Sequence, residues 1–98
     1  MAQKENNIIP MIFDEAFYRK MATQKWQQQN YKKAAEYYEK VLELSPEDFD
    51  IQQHYAQCLV KLNIGKKAER LFYENIVKDF HVAESFYELS QLNIELNE

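Results

Sequence analysis

Residues that interrupt helices are scarce in this chain of 98 amino acids. It contains one glycine and two prolines, while 46% of its residues are hydrophobic. Sheet proteins need tight turns that depend on such residues, so their shortage favours long helices. A chain of this length forms one domain and buries roughly two-thirds of its unfolded surface. The sequence therefore predicts a single all-α domain.

Cysteine pairs, basic clusters and long apolar runs are missing as well. The one cysteine, Cys58, has no second cysteine to pair with, so we expect a reducing, cytoplasmic setting. The net charge is −4, and no lysine or arginine occurs from Asp79 onward. Because nucleic-acid binding needs a basic stripe, we expect no nucleic-acid partner. We also expect no membrane partner, since no apolar run approaches the ~20 residues of a membrane span.

A repeat with an interval of 34 residues organises what is present. Residues 31–46 have the sequence YKKAAEYYEKVLELSP, and residues 65–80 repeat it in weaker form as GKKAERLFYENIVKDF. Positions one interval apart match in size: Met21 with Tyr55, Ala22 with Ala56, Ala34 with Ala68, and Tyr38 with Phe72. A third partial copy continues the register through Leu89 and Ser90. Such a fixed interval indicates stacked units, each of which covers the apolar flank of its neighbour.

Apolar spacing and capping residues predict five helices, at about residues 11–28, 31–44, 46–62, 66–79 and 82–96. We expect Asn30 to cap the second helix. We expect Ser45 to cap the third, with Pro46 at its first position. Asn63 or Gly65 is expected to adopt the left-handed backbone that turns the chain before the fourth helix.

This pattern resembles the tetratricopeptide repeat family, a helix–turn–helix solenoid. The resemblance covers a first unit at about residues 15–48, a second at about 49–82, and a capping helix at about 83–96. The matching residues are Tyr18, Met21, Ala22, Ala34, Tyr38, Val41 and Pro46, then Tyr55, Ala56, Leu59, Ala68 and Phe72, then Phe86, Leu89 and Ser90. It implies a right-handed superhelix of five helices over residues 11–98, preceded by a flexible segment at residues 1–10.

Three positions depart from the family pattern. Lys25 stands where the family prefers an aromatic residue, Asn75 where it prefers a small apolar one, and Phe80 replaces a closing proline. At the end of the second unit we therefore expect either local looseness or an added contact.

Proteins of this family bind other proteins, usually on the concave surface formed by the first helix of each unit. Carried over to this chain, the resemblance implies the partner-binding residues Arg19, Thr23, Trp26, Gln27, Gln53, Gln57, Val60, Lys61, Tyr87, Gln91 and Ile94. These side chains are rich in amides and aromatic rings, and Trp26 is an anchor of the kind that dominates interface energies. The expected function is a non-catalytic adaptor that binds a peptide or helix without a cofactor.

A subset of the family binds the acidic carboxyl tails of heat-shock chaperones through a clamp of basic residues and asparagines. The corresponding positions here hold Arg19, Thr23, His54, Glu84 and Glu88. Only Arg19 fits, and the two glutamates would repel an acidic ligand. An acidic chaperone tail is therefore not the expected partner.

Some residues allow a second interpretation. Trp26 is either a peptide anchor or a helix-end residue packed against the N-terminal segment. His54 and Cys58 lie four residues apart, but a structural metal site needs four ligands, so we expect a buried thiol and no metal. The sequence shows no Ser–His–Asp or Cys–His arrangement and no glycine-rich phosphate loop, so we expect no catalysis.

The last helix offers an alternative function. Its expected core-facing stripe consists of Val82, Phe86, Leu89 and Leu96. We expect an exposed apolar flank near Phe86, Leu92 and Ile94, through which the chain could form a homodimer or dock on a larger scaffold. Residues 8–13 could instead cover this flank.

Overall fold

Five helices follow one another along the chain. The computed structural model describes residues 14–97, and the side chains of residues 14–92. The helices are α1 (Glu15–Gln27), α2 (Tyr31–Leu44), α3 (Phe49–Lys61), α4 (Gly65–Val77) and α5 (Val82–Asn97). Each helix packs on the next one along the chain, and residues 14–97 contain no strand. The predicted all-α stack of five helices is confirmed, whereas the expectation for residues 1–10 concerns a segment outside the described residues.

The helices recur at the interval found in the sequence. The first residues of α1 and α3, at positions 15 and 49, are 34 apart, and so are those of α2 and α4, at positions 31 and 65. Helices α1, α3 and α4 each have 13 residues. Equal lengths and equal spacing let one hairpin lie against the next over its whole length.

Three of the helices end in the same kind of turn. After α1, α3 and α4 a residue adopts left-handed backbone: Gln29 with φ 61°, Asn63 with φ 64° and Asp79 with φ 66°. In each turn the amide of the next residue donates to a carbonyl of the preceding helix at 2.8 Å, which satisfies a group that the helix end leaves unpaired. Asn63 therefore makes the turn before α4, and Gly65 is the first residue of that helix.

Side-chain oxygens cap three of the helices. Asp14, Asn30 and Asp48 each accept a hydrogen bond from the backbone amide three residues later, at 3.0, 3.3 and 3.1 Å. The expectation for Asn30 is confirmed. The expectation that Ser45 caps the third helix, with Pro46 as its first residue, is wrong, because Ser45 ends α2 and the two residues after it form a turn. Asp48 takes the cap, where its negative charge also complements the helix dipole.

One apolar cluster runs through the stack. The alanines expected to bring paired helices together are each 0% exposed: Ala22, Ala34, Ala56 and Ala68. Larger buried side chains surround them: Tyr38, Val41, Tyr55, Leu59 and Phe72. Because alanine has no side chain beyond Cβ, helices that meet at such positions can approach closely. The apolar area buried in this way is the main source of stability.

Helix α5 contacts the core through a face that agrees with the predicted stripe at Leu89 but not at Phe86. Ser85, Leu89 and Leu92 are 0%, 3% and 3% exposed, and their spacing places them on one side of the helix. Phe86 is 56% exposed, so the expected core stripe was wrong at this position. The expected exposure of Leu92 was also wrong. On the same side of α5 as Leu92, Ser85 Oγ donates a buried hydrogen bond of 3.0 Å to Gln53 Oε1.

A buried polar cluster joins α3, α4 and α5. The side chain of Asn75 is 0% exposed; its Nδ2 donates to Gln53 Oε1 at 2.7 Å, and its Oδ1 accepts from Gln52 Nε2 at 3.0 Å. Directly after the turn that follows α4, Phe80 stacks on Phe49 with ring centroids 5.0 Å apart. Both departures from the family pattern in this region therefore add contacts, and the alternative of local looseness does not apply to them.

Replacement of Asn75 by leucine should destabilise the protein, because it removes the buried hydrogen bonds that Asn75 makes with Gln52 and Gln53. Gln52 Nε2 keeps Glu74 as a partner and Gln53 Oε1 keeps Ser85, so the expected loss is that of two hydrogen bonds, each worth about 0.5–1.5 kcal/mol. We expect the free energy of unfolding, measured by urea denaturation, to fall by roughly 1–3 kcal/mol. The double variant Asn75→Leu with Gln53→Leu should lose less stability than the two single variants lose together, because the two side chains pair with each other. An unchanged midpoint for Asn75→Leu would contradict a stabilising role for the cluster.

The thiol of Cys58 should react only when the protein unfolds. Its side chain is 0% exposed, and burial raises the pKa of the thiol to about 12. At pH 8 the reactive thiolate is therefore roughly a thousandfold less abundant than for a free cysteine. We expect an aromatic disulfide reagent to label the protein quickly when it is unfolded in guanidinium. In the folded protein, labelling should be limited by the rate at which the structure opens around Cys58. Equal labelling rates in both states would contradict a buried position.

Candidate partner-binding pocket

Side chains from three helices meet at a shallow pocket of about 270 Å³, which we call the Trp26 pocket. Its lining consists of Trp26 from α1, Gln57, Val60 and Lys61 from α3, and Glu88 from α5. These helices are the first helices of successive units. The structure thus brings together four of the residues that the resemblance implied for partner binding, and adds Glu88.

Trp26 has a fixed position in this pocket. Its side chain is half-buried and packs against the apolar core. Its ring meets the ring of Tyr31, the first residue of α2, edge to face with centroids 5.2 Å apart. Trp26 is therefore both a packed helix-end residue and a pocket-lining residue. A contact with the N-terminal segment concerns chain outside the described residues.

The α3 side of the pocket combines an apolar wall with polar groups. Gln57 and Val60 are half-buried and Lys61 is exposed; positions three apart on a helix lie on one face. The ammonium group of Lys61 lies 6.0 Å from the ring centroid of Tyr31, at the limit of a cation–π interaction. The cation that lines the pocket thus lies beside the ring of Tyr31, which itself packs against Trp26.

Glu88 is the charged residue that α5 adds. Its side chain is half-buried. Burial raises the pKa of the Glu88 carboxyl, and the positive charge of Lys61 lowers it to a smaller extent. Among the ion pairs of residues 14–92, none involves Glu88. Sequence reasoning considered Glu88 only as a mismatch to the acidic-tail clamp; its position one helical turn before Gln91, an implied contact, was the signal that could have found it.

Two of the implied residues have other roles. Arg19 pairs with Glu15 at 2.6 Å and with Asp48, so it joins α1 to the start of α3. Ser45 Oγ donates to the same Glu15 at 2.7 Å, and this bond together with Arg19 lowers the pKa of the Glu15 carboxyl. The implied role of Gln53 at the binding surface is wrong. It is 3% exposed, and its oxygen already accepts two hydrogen bonds in the polar cluster.

The remaining implied residues flank the pocket or lie outside the description. Thr23, Gln27, Tyr87 and Gln91 are exposed. Thr23 precedes Trp26 by one helical turn, and Gln91 follows Glu88 by one, so both extend the pocket's face along their helices. The side chain of Ile94 lies outside the described residues.

A second apolar depression lies on α4, where sequence reasoning expected no site. It has about 270 Å³ and is lined by Phe49, Arg70, Tyr73, Glu74, Val77 and Lys78. We call it the α4 groove. Val77 is 79% exposed and Tyr73 49% exposed. Tyr73 and Val77 are four residues apart and lie on the side of the helix that faces away from the core. This spacing was the signal in the sequence for an exposed apolar surface.

The chemistry of the other candidate groups is limited. His54 is exposed, its ring stacks on Tyr38 with centroids 6.0 Å apart, and its Nδ1 lies 2.8 Å from the Asp50 carbonyl oxygen. Within the part of the chain that is described, no group of three or more histidine, cysteine or acidic residues is arranged to hold a metal ion. Within the same part, no helix is long and apolar enough to span a membrane.

Comparison with known proteins agrees with the repeat architecture. The sequence pattern of the tetratricopeptide repeat family matches residues 25–72, which extend from the end of α1 into α4. No curated protein and no solved structure matches the chain at a significant level. Repeats of this family generally mediate protein–protein interactions and are typically not catalytic. Five helices in repeat register and a family match across the central ones show that the chain is a tetratricopeptide-like repeat protein.

Proposed function

We propose that this protein is a non-catalytic adaptor, which binds a peptide or a helix of another protein on the face formed by α1, α3 and α5. The Trp26 pocket is the observation that carries the proposal. It combines a large aromatic ring, an aliphatic wall and a few polar groups, as sites that recognise peptides do. The cytoplasmic location expected from the single cysteine belongs to the same proposal.

The pocket is suited to binding because its anchor is already ordered. The contact between Trp26 and Tyr31 restrains the indole ring before a partner arrives. Side chains that are immobilised in advance lose less entropy on association. The exposed groups beside the pocket, Thr23 and Gln91, have donors and acceptors for the backbone of a bound segment.

Substitutions in the pocket should weaken binding of a partner that is captured from native lysate and then purified. Trp26→Ala removes a central aromatic anchor, for which losses of about 2 kcal/mol or more are typical, a decrease in affinity of roughly thirtyfold. Gln57→Ala should cause a smaller loss. Gln28→Ala, an exposed amide just after α1, is the control and should bind like the parent. Calorimetric titration measures each affinity.

Because Trp26 also packs on the core, the thermal melting of each variant should be compared by circular dichroism. A variant that melts like the parent reports on binding alone. Gln57→Ala leaves the ring of Trp26 in place and therefore helps to separate the two effects. Unchanged affinity in both Trp26→Ala and Gln57→Ala would exclude this face as the binding site.

A second candidate function is self-assembly or docking on a scaffold through α5. The exposed rings of Phe86 and Tyr87, 56% and 64% accessible, favour this possibility. Leu92 takes no part in it, because it is buried. A dimer formed through this flank should show a mass that rises with concentration in light scattering.

The substitution Phe86→Ser should lower that mass, whereas Tyr73→Ser on α4, which also removes an exposed ring, should not. A monomer at all concentrations would count against a homodimer. The adaptor function would be unaffected by that result.

A further inference from the structure

We propose that the Trp26 pocket accepts a basic side chain, arginine or lysine, from the bound segment. This inference depends on the adaptor function proposed above and specifies the chemistry of the partner. It starts from the Glu88 carboxylate, which is half-buried at the pocket and forms no ion pair with residues 14–92. A carboxylate that is partly withdrawn from water gains most from a cationic partner.

The charges around Glu88 point to the same partner. Helix α5 contains Glu84 and Glu88 and has no lysine or arginine. Arg19, one of the two basic residues that the resemblance placed on this face, is already paired with two carboxylates. The α5 side of the face is therefore negative, and a negative surface attracts a positively charged segment.

Lys61 is the one cation among the pocket residues, and it leaves room for a second. Its ammonium group lies beside the ring of Tyr31 and not in an ion pair with Glu88. Since Lys61 is exposed and its stem is flexible, the ammonium can move into water when a ligand enters.

The size and walls of the pocket suit a long side chain with a charged end. A volume of about 270 Å³ holds one side chain. The methylene groups of arginine or lysine would pack on Val60, while the charged end reaches Glu88 beside the indole face of Trp26. An acidic side chain would be repelled by Glu88, and an apolar one would bury its carboxylate further without a partner.

The test begins with a randomised library of nine-residue peptides, from which the purified protein selects binders. Trp26 is the only tryptophan in the chain, so a change in its fluorescence shows that a selected peptide occupies the pocket. We expect the selected peptides to share arginine or lysine at one position. Replacement of that residue by glutamine in the peptide should weaken binding by at least about tenfold, as expected for the loss of a charge-assisted hydrogen bond.

Variants of the protein then identify the partner group. In Glu88→Gln the arginine and glutamine peptides should bind equally, because the carboxylate that distinguishes them is gone. In Glu88→Lys the preference should reverse in favour of a peptide with glutamate at that position. Glu43→Gln removes the same charge from an exposed site on α2 and should keep the parent's preference.

The possible failures can be told apart. Peptides that change Trp26 fluorescence but share no basic residue would overturn this inference and leave the adaptor function intact. A preference for arginine that persists in Glu88→Gln would also overturn it, since another group would then be responsible. If no peptide is selected and Trp26→Ala does not change the affinity of a captured partner, both this inference and the adaptor function fail.

Discussion

The structure depends on one packing relation, the coverage of each hairpin's apolar flank by the next helix. Buried alanines such as Ala22 and Ala56 let helices come together, but a hairpin alone would leave its outer apolar side in water. Helix α5 supplies the last cover through Leu89 and Leu92. A partner can use only the surface that this stacking leaves free, so the packing of the core determines where binding can occur.

The buried polar cluster connects that packing to the Trp26 pocket. The hydrogen bond between Ser85 and Gln53 lies inside the stack, on the side of α5 that also buries Leu89 and Leu92. Glu88 follows Ser85 by three residues, so it lies on a neighbouring part of the same helix surface. With Ser85 and Leu92 buried, Glu88 lines the pocket. The orientation of α5 that buries core residues therefore also places the residue proposed to contact the partner.

Much of this arrangement could be predicted from residues that lie close in the chain. The number of helices, the cap at Asn30 and the burial of the repeated alanines follow from local patterns. The pocket residues Trp26 and Val60 came from the family resemblance, because their place in a unit determines which way they face. Their convergence with Glu88 could not be predicted in the same way, because it depends on how α5 packs on the rest of the stack. Gln53 was misplaced for a related reason: its position in the unit normally faces a partner, but here neighbouring polar side chains bury it.

The sequence by itself determined the repeat, the helix ends and the apolar stack, because periodicity, capping and turn formation act over a few residues. Only the tertiary structure decided which face of α5 is buried and which amide side chain lies in the interior instead of on the binding face. Those outcomes depend on hydrogen bonds between residues more than 20 positions apart, Gln53 with Asn75 and with Ser85. Most buried polar groups pair with partners that the packed helices bring near them, and no local pattern specifies which partners these will be.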